Sequence, residues 1–209
     1  THAATAYRPG LAKKQGIFRA GPLAVFPFCV GSLVPHLFRS IKTRMSILIF
    51  SRPIHSGKTT ALMHWCARQK NIYGVLMPDM DGRRKILDVN TKEVFDIECT
   101  DPENTNEPLT PVGKFLFYTN AFNRANLILL EALTQDPAWL VIDEAGILEL
   151  EGKGFYNAIE KAAAVYSNNK NTGNLLITVR ESLCEEVTGF FKIKDPRVIH
   201  SLEELDSHD

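Results

Sequence analysis

Six residues in two places carry the chemistry open to this chain: Gly57-Lys58-Thr59-Thr60 and Asp143-Glu144. The first group follows Ile47-Leu48-Ile49-Phe50, an apolar, partly β-branched run that reads as a buried strand. It precedes Ala61, Leu62, Trp65 and Cys66, which recur on one face of a helix. Strand, loop ending in Gly-Lys-Thr, helix is the layout of a phosphate-binding loop. The backbone N–H groups of such a loop and of the first helical turn converge on one point. The helix dipole adds positive potential there, so a polyphosphate is held without a dedicated cationic cage. In this layout Lys58 reaches the β- and γ-phosphates and the Thr59 hydroxyl ligates Mg²⁺. The candidate nucleotide-binding segment is therefore Arg52, Pro53, Ile54, His55, Ser56, Gly57, Lys58, Thr59 and Thr60. Chance alone places a Gly-Lys-Thr tripeptide in roughly one chain in twenty of this length, and the flanking strand and helix argue against it.

One position departs from the usual loop. Arg52 stands five residues before Gly57, where a glycine normally lets the chain leave the strand at a dihedral angle other residues resist. Either Arg52 takes a different angle, with Pro53 setting the next, or the loop is distorted. His55 lies within the loop and could reach a γ-phosphate, although loop filler describes it as well.

The second group ends the continuous apolar run Ala138–Ile142, the pattern of a parallel strand buried on both faces. An acidic residue at the carboxyl end of such a strand is the Walker B arrangement, in which Asp143 holds Mg²⁺ through water. Glu144 is then placed to orient or deprotonate an attacking water. Acidic pairs also follow strands as helix caps; a phosphate-binding loop upstream favours the metal and base roles for Asp143 and Glu144.

At 209 residues, 44 % apolar and 23 % charged, the chain has the make-up of a globular domain with a sizeable core. Its zero net charge hides an asymmetry. Residues 1–44 hold seven basic and no acidic residues, leaving 17 basic against 24 acidic, a net −7, for the remainder. So acidic a domain lacks the basic face that general nucleic-acid binding needs. The four cysteines (Cys29, Cys66, Cys99, Cys184) are scattered, which suggests neither a zinc site nor a disulfide framework. The histidines do not cluster.

The leader, 1–44, shows no helical or strand period and is broken by Pro9, Pro22, Pro27 and Pro35. Its uncharged stretch Ala20–Val34 has a faint likeness to a signal sequence, but is short for a membrane span and proline-broken. An organelle-targeting peptide is also consistent with it. The favoured reading is a leader that is disordered or not native, with the domain over 45–209, starting at Met45.

Beyond the loop, a helix is expected to end near Lys70 and a strand to run Ile72–Met77. Asp81-Gly82, a strong hairpin signal, and Asn90-Thr91 punctuate runs at Lys85–Val89 and Glu93–Ile97, an inserted β-meander. Arg83 and Arg84 read most simply as solvated hairpin charges, with a role over the nucleotide as the lesser reading. Residues 100–112 read as a surface loop and Phe115–Tyr118 as a short strand. A helix follows with Phe122, Ala125, Leu129, Ala132 and Leu133 inward, stopped by Asp136-Pro137. Phe155, Ala158, Ile159, Ala162, Ala163 and Tyr166 mark another. Strands are expected at Leu175–Val179, near Phe190–Ile193 and near Val198–Ile199, with a short helix over 181–188 and a frayed acidic tail from Glu203. Arg180 falls near the sheet's switch point, where ligands bind; contact with a γ-phosphate and a surface place at a helix start both remain open.

From about Met45 to His200 the chain resembles the nucleoside-triphosphatase family of the thermophile type, within the P-loop NTPase superfamily. The likeness rests on Gly57-Lys58-Thr59-Thr60, Gly74, Gly82-Arg83-Arg84, Asp88-Val89 and Val112-Gly113. Most specific is Val141-Ile142-Asp143-Glu144-Ala145-Gly146-Ile147-Leu148-Glu149-Leu150, where the family reads V-I-D-E-I-G-K-M-E-L. The resemblance implies a RecA-like P-loop fold, α/β/α in three layers with a mostly parallel sheet. It also implies Mg²⁺-dependent hydrolysis of nucleoside triphosphates with little base discrimination. Carried over, Lys58 and Thr59 serve phosphate and metal, Asp143 the metal and Glu144 the water. Ile147 stands in place of the family's lysine, and Glu149 is retained, with a structural role ranked first.

The leading expectation is a cytoplasmic, monomeric hydrolase that converts ATP, GTP and other nucleoside 5′-triphosphates to diphosphate and phosphate, with no nucleic-acid or membrane partner. Two alternatives stay open. One is a small-molecule or nucleotide kinase, against which no arginine-rich lid segment is evident. The other is a nucleotide-binding module without turnover, for which Arg52 and Ile147 are the argument.

Overall fold

Alternation along the first strand decides how the whole sheet is covered. In β1 (Ile47–Arg52), Ile47 and Ile49 join one apolar cluster and Leu48 and Phe50 another, and all four are buried. A strand apolar at every position is stable only where both faces are covered. The structure is a computed structural model that describes residues 47–53, 56–168 and 173–206. The expectations for the leader, 1–44, and for Ile54 and His55 lie outside the described residues.

After β1 come α1 (Lys58–Cys66), β2 (Ile72–Leu76), β3 (Asp79–Met80), β4 (Arg83–Asp88) and β5 (Val94–Asp96). The middle of the chain forms β6 (Leu109–Val112), β7 (Phe115–Tyr118), α2 (Thr119–Ala132), β8 (Trp139–Ala145) and α3 (Ile147–Leu150). It closes with α4 (Tyr156–Ser167), β9 (Asn174–Arg180), α5 (Cys184–Phe190), β10 (Arg197–Ile199) and α6 (Glu203–Asp206). The main sheet is ordered β10-β1-β9-β8-β2-β4-β3, with β5 on β4. The first five of these strands pair in parallel and the β3–β5 insertion is antiparallel. On one face Leu48, Phe50, Val141 and Leu176 cluster with Leu62 and Trp65 of α1. On the other, Ile49, Ile142 and Ile177 cluster with Leu129 of α2 and Ile159 of α4. The result is the expected α/β/α P-loop architecture, with the expected meander appended at the β2 edge. Asp81-Gly82 forms its turn with positive φ at both residues (56° and 76°), matching the twist of a tight hairpin.

Gly74 shows how closely β2 and β8 are joined. Its φ is 140°, and a Cβ built there would lie 2.0 Å from the Val141 carbonyl oxygen, a backbone atom that cannot yield. Gly74→Ala is therefore expected to destabilise the fold by about 3 kcal/mol or more. A urea-unfolding midpoint equal to wild type would refute this close approach.

Several local expectations are corrected. The P-loop helix ends at Cys66 rather than near Lys70; the chain tightens through i−3 bonds from Arg68 and Gln69, and Asn71 takes φ 50°. Residues 109–112, read as loop, form β6 against β7, because Pro111 is tolerated on the edge of a two-stranded ribbon. The apolar run at Phe190–Ile193 is no strand. Its amides bond back to Val187, Gly189 and Thr188, extending the turn after α5, while Phe191 and Ile193 fill the core. Short apolar runs look alike in strand and helix ends. The tail is ordered from 203 to 206 as α6: Glu204 Oε1 accepts the His200 and Ser201 N–H groups, and Leu202 is buried. No helix among the described residues is long and apolar enough to cross a membrane.

Candidate functional site

The loop after β1 turns through Gly57, whose left-handed φ of 74° starts α1. Lys58, Thr59 and Thr60 then occupy the first helical turn, and Ala61 N–H closes it on the Gly57 carbonyl at 3.0 Å. Arg52 is the last residue of β1, paired in register with Arg180 of β9, so the position where glycine is usual is spent as extended strand. Lys58 folds back over this segment, its Nζ donating to the Arg52 carbonyl at 3.1 Å and the Pro53 carbonyl at 3.0 Å. Partial burial lowers the Lys58 pKa, opposed by the carboxylates of Glu144 and Asp143. Ser56 lines the same mouth.

The acidic pair sits inside β8, which runs on to Ala145 rather than ending at Asp143-Glu144. Between the pairings Ile142–Ile177 and Ala145–Val179, two residues of β8 face one of β9, and that one is Thr178. This bulge puts Glu144 at φ 64°, a costly angle for a side chain with a Cβ and one found mainly at functional sites. Thr178 organises both acids: its hydroxyl donates to Asp143 Oδ1 at 2.6 Å and accepts the Glu144 N–H at 2.7 Å. Asp143 is fully buried, and its Oδ2 accepts the Met77 N–H at 3.1 Å. Glu144 is instead 30 % exposed and turned into the cleft.

Arg84 is the residue whose leading sequence reading, a solvated hairpin charge, the structure corrects. Of the two hairpin arginines only Arg83 is exposed; Arg84 Nη1 reaches Glu144 Oε1 at 3.4 Å and the Met77 carbonyl at 3.1 Å. Desolvation, then the Asp143 charge, raises the Glu144 pKa; Arg84 leads the groups opposing this, before Arg180 and Lys58. The available signal was the spacing Asp81-Gly82-Arg83-Arg84: in a hairpin, adjacent residues face opposite sides, so one of two neighbouring arginines must turn inward.

Lys58, Thr59, Arg84, Lys114, Glu144 and Arg180 wall one cleft of about 690 Å³, within the size range of small-ligand sites. Four of these six are cationic, and the loop amides at the start of α1 add to the positive end. Such a cleft suits a polyphosphate. The oxygen donors Thr59, Asp143 and Glu144 are of the hard type that suits Mg²⁺, which keeps its waters and takes one or two carboxylates beside substrate phosphates. Asp143 has no exposed surface and is not among the residues that wall the cleft; its oxygens accept from Met77 and Thr178 behind Glu144. No cluster of three or more His, Cys, Asp or Glu side chains that would hold a metal by itself occurs among the described residues.

Glu149 belongs to the scaffold. It is buried, and its two oxygens accept the N–H groups of Gly146 at 2.7 Å and Phe155 at 2.9 Å, tying α3 to the start of α4. Burial pushes its carboxyl up to about 7 against those two donors. Ile147, where the resemblance expects lysine, is 56 % exposed at the first turn of α3.

No protein-family model and no curated protein sequence matches the chain. Two solved structures do. THEP1 from the hyperthermophile Aquifex aeolicus superposes with a TM-score of 0.57 at 19 % identity, covering 78 % of this chain and 94 % of that one. A human cancer-related nucleoside triphosphatase superposes with a TM-score of 0.52, also at 19 % identity, covering 78 % of this chain and 92 % of its own. Both agree with the resemblance drawn from the Walker-type motifs. At this identity the likeness establishes architecture: the chain has the α/β fold, with its mostly parallel sheet, of these two structures.

Proposed function

We propose that the protein hydrolyses nucleoside 5′-triphosphates, ATP and GTP among them, to diphosphate and phosphate in the cytoplasm, with Mg²⁺ as cofactor. The observation that carries this reading is the convergence of Lys58, Thr59 and Glu144 on one cationic cleft. The loop amides and Lys58 bind the β- and γ-phosphates. Thr59 and, through water, Asp143 would hold Mg²⁺, which supplies charge neutralisation on the phosphates when bound. Glu144 orients a water and takes its proton as the oxygen attacks the γ-phosphorus. Arg180, at the end of the strand between β1 and β8, faces the same cleft and offsets charge on the γ-phosphate.

The test is phosphate release by the full chain with Mg²⁺ and each of ATP, GTP, CTP and UTP. Steady release with several nucleotides supports a broad triphosphatase and shows that Arg52 and Ile147 are tolerated. Nucleotide binding with no release would instead identify a non-hydrolysing module.

The Arg84–Glu144 contact adds a pH prediction. Glu144 acts as a base only when ionised, so activity falls as pH drops through its raised pKa. Arg84 holds that pKa down; Arg84→Ala therefore moves the acidic limb of the kcat/KM profile to higher pH. An unmoved limb would show that Arg84 does not govern Glu144.

A further inference from the structure

Behind the phosphate cleft lies a second, partly enclosed cavity of about 80 Å³. Its walls are mainly apolar: Val112 and Phe117 from the β6–β7 hairpin, Phe122 from α2, Leu148 from α3, Phe155 beside α4, and Val179 from β9. Five polar side chains also line it: Lys58, Glu144, Glu149, Thr178 and Arg180. Glu149 and Thr178 are tied up in the scaffold bonds described above, whereas Lys58, Glu144 and Arg180 line the cleft as well. The two spaces therefore share the groups placed at the γ-phosphate, and the Glu144 carboxylate faces both. Hydrolysis needs no such space. Water requires neither an apolar wall nor a cavity several times its own size, since one water fills about 10–15 Å³ on this scale.

We propose that this cavity is an acceptor site and that the protein transfers the γ-phosphoryl group to a small aliphatic alcohol bound there. The inference rests on the triphosphate reading above. The size sets the class: about 150 Å³ admits benzene, so roughly half of that takes a short branched alkyl body and excludes an aromatic ring. The apolar walls hold the alkyl part, and the hydroxyl is left at the polar rim, beside Glu144. There the hydroxyl oxygen attacks the γ-phosphorus and forms the new O–P bond. The bond from the γ-phosphorus to the β,γ-bridging oxygen breaks, and the nucleoside diphosphate leaves with its electron pair. The hydroxyl proton passes to Glu144 and on to solvent. Atoms and charge balance with the nucleoside triphosphate as the only co-reactant.

The probe is isobutanol, added to the full chain with ATP and Mg²⁺, and the readout is the ratio of isobutyl phosphate to inorganic phosphate by ³¹P NMR. Random capture would follow the alcohol-to-water mole ratio. A bound acceptor is expected to exceed that ratio by at least about tenfold, because binding converts the encounter into an intramolecular one. Val112→Phe, and independently Leu148→Phe in case the first disturbs the hairpin, are expected to bring the ratio back towards the random value. Both positions are only partly buried, so the larger ring enters the cavity without displacing the sheet core. Phosphate release with no enrichment of the ester overturns the acceptor site and leaves hydrolysis standing. Enrichment untouched by both variants overturns the assignment to this cavity. Loss of both products in the wild type removes the triphosphate reading and the acceptor site with it.

Discussion

Replacing Lys58 by alanine is expected to lower kcat/KM for every nucleoside triphosphate by about 10²–10³-fold. Lys58 is the one cation on the first turn of α1, and its ammonium bridges the Arg52 and Pro53 carbonyls across the loop mouth. Those bonds hold the charge at the cleft mouth, where the proposed triphosphate would place its β- and γ-phosphates. The variant loses a donor both to bound triphosphate and to the charge that grows on the β,γ-bridging oxygen. Both KM and kcat should therefore suffer. Lys58→Arg tests whether charge alone suffices: the planar guanidinium cannot reproduce a compact ammonium between two carbonyls. Wild-type turnover in Lys58→Ala would mean that this loop does not bind the substrate phosphates.

The second large effect is expected at Glu144, and it separates cleanly from the first. Glu144→Gln should lower kcat by about 10²–10⁴-fold while leaving nucleotide affinity nearly unchanged. The glutamine keeps the size of the side chain and a hydrogen bond to Arg84, but cannot take a proton. The backbone is undisturbed because the strained φ of Glu144 is held by its own N–H on Thr178 rather than by its carboxylate. Rapid-quench kinetics beside equilibrium nucleotide binding would check both halves. Full turnover in Glu144→Gln would leave Glu144 as a structural cap and require another base. Asp143 does not offer so clean a test. Its buried oxygens accept from Met77 and Thr178, so changing it leaves interior donors without acceptors, at about 1–3 kcal/mol each. Activity loss there would mix metal binding with folding.

The same contrast shows why some residues were legible from the sequence. Gly57-Lys58-Thr59-Thr60 is a contiguous signal: strand, loop and helix are adjacent, and their mutual placement follows from local geometry. Ala138–Ile142 announces a strand buried on both faces because every residue of the run is apolar. The inward faces of α2 and α4 were equally plain, for helical periodicity is carried within a single element. Where the local signal was ambiguous the reading failed. Phe190–Ile193 suits strand or helix end, and Leu109–Val112 with its proline suits loop or edge strand.

The sequence by itself determined the Gly57-Lys58-Thr59-Thr60 turn, the acidic pair and the strands and helices that flank them. Only the tertiary structure decided that β9 lies between β1 and β8, and so that Arg180 stands between the loop and the acids. It also made Thr178 the hub of the acidic pair and turned Arg84 from a hairpin charge into the partner of Glu144. The physical reason is separation along the chain: these contacts join residues 34, 35 and 60 positions apart. Periodicity and motif spacing report on neighbours in sequence, whereas such pairs meet only once packing has chosen the strand order and the bulge in β8 has aimed Glu144 outward.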